Sequence, residues 1–106
     1  MKIRYYSHAT FQLVSEKGLR LLTDPWLFNP VYGHMIWQFP ECPISDKEYV
    51  DQDFIYISHE HPDHFCLRTL DLFSRHTPII IRKYRTAEFL RNSLHRLGFL
   101  NTIELS

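Results

Sequence analysis

Two uninterrupted apolar runs constrain this chain more than any other feature. Phe54-Ile55-Tyr56-Ile57 and Ile79-Ile80-Ile81 are apolar or aromatic at every position. Successive strand residues point to opposite faces, so such a run has to be covered on both sides. That is the situation of a parallel sheet flanked by other layers. The segments that follow read as helices. Leu67, Leu70 and Phe73 recur at intervals of three and predict a helix ending near His76, where Thr77-Pro78 breaks it. Thr86 is placed to cap a second helix, with Glu88 in its first turn and Leu90, Leu94 and Leu97 on one face. Gly98 then supplies the stop signal, and Asn101 to Leu105 reads as a last short strand. The second half of the chain is therefore β-α-β-α-β, a pattern that builds a parallel sheet through right-handed crossovers.

The first 23 residues follow a different rule. Ile3, Tyr5 and Ser7 alternate with Arg4, Tyr6 and His8, and Phe11, Leu13 and Ser15 alternate with Gln12, Val14 and Glu16. Glu16-Lys17-Gly18 marks a turn, and Leu19 to Thr23 returns as a third strand. An antiparallel meander is expected here, closed by Asp24-Pro25. Residues 25–48 then carry Pro25, Pro30, Pro40 and Pro43 among Trp26, Phe28, Tyr32, Trp37 and Phe39, with a short helical turn expected at Asp46 to Val50. Loops longer than about 12–15 residues are uncommon in compact domains and often functional. The aromatic residues either shape a pocket or form a hydrophobic cover over the core, and His34 among them reads as a packing or surface residue.

At 106 residues and 12.8 kDa the chain fits one domain. Twelve basic residues balance twelve acidic ones, so nothing in the charge points to nucleic acid or to an anionic membrane surface. No apolar run is long enough to span a membrane, and the N-terminus lacks a signal-peptide core. Cys42 and Cys66 are too few for a disulfide scaffold and read as free thiols of a cytoplasmic protein.

The chemistry concentrates in Ser58-His59-Glu60-His61-Pro62-Asp63-His64, directly after the first apolar run. Loops after the carboxyl ends of α/β strands are where ligands bind. His59 and His61 can point to the same side of an extended turn, while Pro62 redirects Asp63 and His64 toward a second point nearby. Imidazole with carboxylate suits zinc first, with iron or manganese as alternatives. Two such ions about 3.5–4 Å apart would activate water near neutral pH.

This His-x-His-x-Asp-His segment after a buried strand resembles the signature of the metallo-β-lactamase superfamily. The resemblance implies that His59 and His61 bind a first metal, and that Asp63 and His64 bind a second. It also implies a catalytic role for Asp63, as proton acceptor or metal holder. Leu22-Thr23-Asp24-Pro25 matches the superfamily's early aspartate, which implies that Asp24 orients a ligand histidine from behind. Ser7-His8-Ala9-Thr10-Phe11 looks like a segment of the lactonase-like and phospholipase-D-like members and implies that His8 lines the pocket. Asp24-Pro25-Trp26-Leu27, Pro30, Trp37, Pro43 and Asp53 to His59 look most like the β-lactamase-like part of the CMP-N-acetylneuraminate hydroxylases. Those proteins also carry a Rieske iron–sulfur domain. Cys42 and Cys66 have no histidine partners in a Rieske pattern, so only the fold is carried over.

The resemblance covers nearly the whole chain but about half of the family's domain, which is built of two αββα-type halves. The expected architecture is thus α/β, the N-terminal half of a four-layer αβ/βα sandwich, with residues 1–106 as a partial domain. The family's later ligands have no counterpart here. After His64 only His76 and His95 remain, and both read as surface residues of helices. The expected function is that of a metal-dependent hydrolase, with metal-bound hydroxide attacking an ester, lactone or phosphoester of a small molecule, incomplete in these 106 residues alone. The alternative is a non-catalytic metal-binding or assembly module. Either reading calls for a complementary half-domain or a homodimer to cover the open sheet. Redox or oxygen chemistry at a di-iron site is a third class found in the superfamily.

Overall fold

The computed structural model describes residues 1–26, 50–61, 64–83, 85 and 87–105. Among them six strands form one sheet in chain order: β1 (Lys2–Ser7), β2 (Thr10–Val14), β3 (Arg20–Thr23), β4 (Phe54–Ile57), β5 (Ile79–Arg82) and β6 (Thr102–Leu105). The first three pair antiparallel and the last four parallel, with β3 belonging to both sets. The meander follows from its turn. Gly18 adopts φ 85°, a conformation that costs a side-chain-bearing residue, and its N–H donates to Ser15 O at 2.9 Å. The expected aromatic loop and helical turn fall almost wholly in residues 27–49, outside the described residues.

The register sets one face apart as the core. Leu22 pairs with Ile55 and Ile55 with Ile79, while Ile57 pairs with Ile81, and all five are fully buried. Against them pack Leu70 of α1 (Leu67–Leu70), then Phe73, and Leu90 and Leu94 of α2 (Ala87–Arg96). Fully burying one such side chain stabilises by about 1.5–3 kcal/mol. The first helix is shorter than its sequence pattern suggests. After Leu70 the chain switches to bonds from Leu72 N–H to Thr69 O and from Phe73 N–H to Leu70 O, each 3.1 Å and each spanning three residues. A repeat of three apolar residues is the period of such tight turns as much as of a helix. The expected cap, Thr86, lies outside the described residues. The far end of α2 closes as expected: Gly98 at φ 99° donates to His95 O, and Phe99 N–H donates to Leu94 O.

The opposite face departs from the expectation that Phe54 to Ser58 is buried on both sides. Both described helices lie on one side of the sheet, and Phe54, Tyr56 and Ile80 on the other are only half-buried. At the edges of the same face Ile3 is 69% exposed, Tyr5 64% and Leu105 49%. No described helix is long and apolar enough to cross a membrane.

Replacing Gly98 by alanine places a Cβ at positive φ, 3.4 Å from the Arg75 side chain. The expected loss is about 1 kcal/mol or more, read as a lower urea midpoint at unchanged slope.

Candidate functional site

Parallel pairing of β3 and β4 brings two strand ends together. Thr23 pairs with Tyr56, so the next residue, Asp24, arrives beside Ser58 and donates its N–H to Tyr56 O at 2.7 Å. Asp24 is 5% exposed and sits at φ 37°. Aspartate is one of the few residues that tolerate this left-handed conformation. Its carboxylate is surrounded by donors. Ser58 N–H donates to Oδ1 at 2.6 Å, Ser58 Oγ donates to Oδ2 at 2.8 Å, and His64 Nδ1 lies 2.9 Å from Oδ2. Ser58 Oγ is also 2.9 Å from His59 Nδ1.

These contacts fix the tautomers. A carboxylate only accepts, so His64 must carry a proton on Nδ1. The Ser58 hydroxyl has one proton and gives it to Asp24, so it accepts from His59 Nδ1. In both neutral rings the lone pair is then on Nε2, and Nε2 would be the ligating atom. In the sequence Ser58 has no role beyond its place in the motif. A hydroxyl residue between a buried strand and a histidine was the signal available.

The turn after β4 gathers the rings. His64 N–H and Phe65 N–H both donate to His61 O, at 2.8 and 2.7 Å, which folds His64 back over the strand end. The ring centres of His59 and His61 are 4.6 Å apart, and those of His59 and His64 are 4.0 Å apart. His8 joins from the β1–β2 turn at φ 53°, 5.4 Å from His64 and edge-on to Trp26 at 5.1 Å. Two threonines lock that turn to the end of β3. Thr10 Oγ1 donates to Asp24 O and accepts from Trp26 N–H, while Thr23 Oγ1 donates to Ala9 O. Trp26 itself is fully buried against the free thiol of Cys66. It floors the site rather than lining an open pocket.

His59, His61, His64, His8 and Asp24 are thus brought together. Asp63 and His34 lie outside the described residues. His76 and His95 are exposed, at the opposite end of the sheet from His59. Among the described residues no three His, Cys, Asp or Glu side chains converge on one point as a ready ligand set. The imidazole rings pack against one another instead of surrounding a common centre. The chemistry of the donor set still fits a divalent metal: clustered imidazoles, two of them held through Nδ1, with a buried carboxylate behind one. An open depression of about 340 Å³ lies alongside, over Ser58, His59 and His61.

A family model described as a beta-lactamase superfamily domain matches residues 2–97. The chain belongs to that superfamily. A cytidine monophosphate-N-acetylneuraminic acid hydroxylase from Asterias rubens is 36% identical over 81 residues, covering 76% of this chain and 12% of the hydroxylase. A metal-dependent hydrolase from Koribacter versatilis is 33% identical over 81 residues, again 76% of this chain and 30% of that protein. The solved structure of an isothiocyanate hydrolase from Delia radicum gut bacteria superimposes with a TM-score of 0.76 at 21% identity. It covers 100% of this chain, and this chain covers 42% of it. The six-stranded sheet is therefore a metallo-β-lactamase fold, spanning less than half of each of these proteins. The description of the Koribacter relative as a metal-dependent hydrolase suggests a metal cofactor for that protein.

The anchoring by Asp24 is open to a direct test. Asp24→Ala should lower stability by about 2–3 kcal/mol, because the half-buried Ser58 N–H loses its charged acceptor. Asp24→Asn should cost less, since asparagine tolerates the same φ and keeps one acceptor oxygen. Urea unfolding of the two variants checks the order.

Proposed function

We propose that this chain is the metal-binding, N-terminal half of a metal-dependent hydrolase that cleaves an ester, lactone or phosphoester of a small molecule. The observation that carries this reading is the double anchoring of His59 and His64 through Nδ1 by Ser58 and Asp24. Rings held this way present Nε2 without first having to be oriented. His59 and His61 would hold one ion, and Asp63 and His64 a second. Zinc is the first choice for this donor set, with iron or manganese as alternatives. A bound ion would polarise the substrate oxygen and bring the pKa of water toward neutrality. Asp24 would keep the proton of His64 on Nδ1, and His8 would wall the pocket against Trp26. Asp63 would accept the proton released from water or hold the second ion. The free thiol of Cys66 suits a cytoplasmic location.

A second reading, an assembly module whose histidines serve structure alone, draws on the open sheet face. Both readings need an occupant for that face, and we assign it to a second αβ layer of the same superfamily. The solved relative is more than twice as long as this chain, and the aligned part accounts for all of the sheet described above. Burying ~1,000 Å² of apolar surface there would contribute nominally ~25 kcal/mol before association costs.

His59→Ala/His61→Ala should abolish specific zinc binding while circular dichroism stays unchanged. Zinc stoichiometry equal to wild type after dialysis would refute the ligand assignment. Light scattering of the 106-residue chain at micromolar concentration should report dimers or larger species. A stable monomer that binds no hydrophobic dye would remove the need for a covering layer.

A further inference from the structure

We propose that Thr10 is a positioning residue of the histidine centre: its hydroxyl sets the turn that aims the Asp24 carboxylate at His64. The consequence for metal binding rests on the hydrolase reading above; the orientation of His64 does not.

Backbone pairing of β2 with β3 runs from Val14 and Arg20 to Gln12 and Leu22. Beyond that point threonine hydroxyls join the two strands. Phe11 N–H donates to Thr23 Oγ1 at 3.1 Å, and Thr10 Oγ1 donates to Asp24 O at 2.7 Å. The Asp24 backbone is thereby shared between two neighbours. Its C=O is held from β2 by Thr10, and its N–H donates to Tyr56 O of β4 at 2.7 Å. Thr10 Oγ1 also accepts from Trp26 N–H at 3.2 Å. One hydroxyl thus spans the turn across Pro25, which has no N–H of its own. Thr10 is 0% exposed, so a methyl group in place of the hydroxyl would strip two buried backbone groups of this bond.

The turn held in this way is a strained one. Asp24 has φ 37°, and His8, two residues before Thr10, has φ 53°. Among the described residues these are the non-glycine residues at positive φ, and both lie on the segments that Thr10 joins. Backbone strain persists where surrounding bonds over-determine it, and it gathers at functional sites. The backbone at Asp24 decides where its carboxylate points, since the side chain leaves from the same Cα. Here it accepts from Ser58 and comes within 2.9 Å of His64 Nδ1. Releasing the carbonyl lets the turn relax, draws the carboxylate away from His64 and weakens the hold on the Nδ1 proton. A neutral histidine held less firmly populates both tautomers, and the Nε2–H form has no lone pair on Nε2 for a metal. The two hydrogen bonds of Thr10 go to the backbone of Asp24 and Trp26, so it acts on His64 through Asp24.

The test combines zinc titration with nitrogen-15 NMR of the histidine rings in metal-free protein above neutral pH, for wild type, Thr10→Val, Thr10→Ser and Gly98→Ala. Valine keeps the size and removes the hydroxyl, while serine keeps the hydroxyl. In wild type His64 should be the Nδ1–H tautomer. In Thr10→Val its signals should move toward the Nε2–H form. Zinc affinity should fall about 10-fold, the lower end of the roughly 10- to 100-fold range for partners of metal ligands. Thr10→Ser should restore both. Gly98→Ala, destabilised at the opposite end of the sheet, should change neither, which separates positioning from lost stability. Should the valine variant fail to fold, Thr10→Cys takes its place, because a thiol is only a weak donor, and should show the same shift in smaller degree. Unchanged His64 signals in the folded valine or cysteine variant would overturn the proposal, as would a serine variant that behaves like valine. If wild type binds no zinc specifically, the hydrolase reading falls and the NMR comparison still decides the role of Thr10. Normal zinc binding with a His64 tautomer indifferent to Thr10 overturns the positioning role and leaves the hydrolase reading standing.

Discussion

The buried carboxylate of Asp24 is the interaction on which the site depends. It accepts from the backbone and the hydroxyl of Ser58 and contacts Nδ1 of His64 within 3 Å. A buried charge is costly unless such donors surround it. The fold supplies them by ending two parallel strands side by side, so the carboxylate and the first residue after β4 meet without a loop between them. The left-handed backbone at Asp24 turns the chain at the point where the carboxylate is needed. Strain of this kind is retained where the surroundings over-determine it. Thr10 and Thr23 provide that over-determination by tying the β1–β2 turn to the same strand end.

The sheet explains why the chain carries its chemistry on one edge and an open apolar face beside it. Both described helices cover the face that holds Leu22, Ile55 and Ile79. The other face keeps the apolar pattern of a buried layer without a cover among the described residues. The site edge and the uncovered face share β4, β5 and their side chains, so completing the sheet sandwich and shaping the substrate pocket are one structural problem. Tyr56 illustrates this, since it belongs to the uncovered face and also lines the depression beside His59.

Much of this was legible in the residues. Alternation in Ile3 to Ser15, continuous apolarity in Phe54 to Ile57, and Gly18 and Gly98 as punctuation marked the strands and the ends of elements. These are local signals, because period and backbone freedom are properties of neighbouring residues. The helix after Cys66 is shorter than the pattern of Leu67, Leu70 and Phe73 predicts, since a spacing of three residues serves a tight turn as well as a helix. The aromatic pattern left Trp26 either shaping a pocket or covering the core, and the fold decides for burial, against Cys66 and edge-on to His8, because burial depends on what comes from elsewhere in the chain.

The sequence by itself supplied the candidates for the chemistry: three histidines and an aspartate after an apolar strand, and an aspartate before a proline. It also pointed to an α/β class of fold, through an alternating pattern in the first strands and continuous apolar runs in the later ones. Only the tertiary structure decided which nitrogen of each histidine is held. That choice is made by Ser58 and Asp24, which are 34 residues apart and meet only when β3 and β4 pair in register. It alone decided that Arg82 and Arg85 share a depression with His59 and His61. Parallel pairing brings together residues distant in the chain, and their meeting leaves no periodicity in the sequence to read.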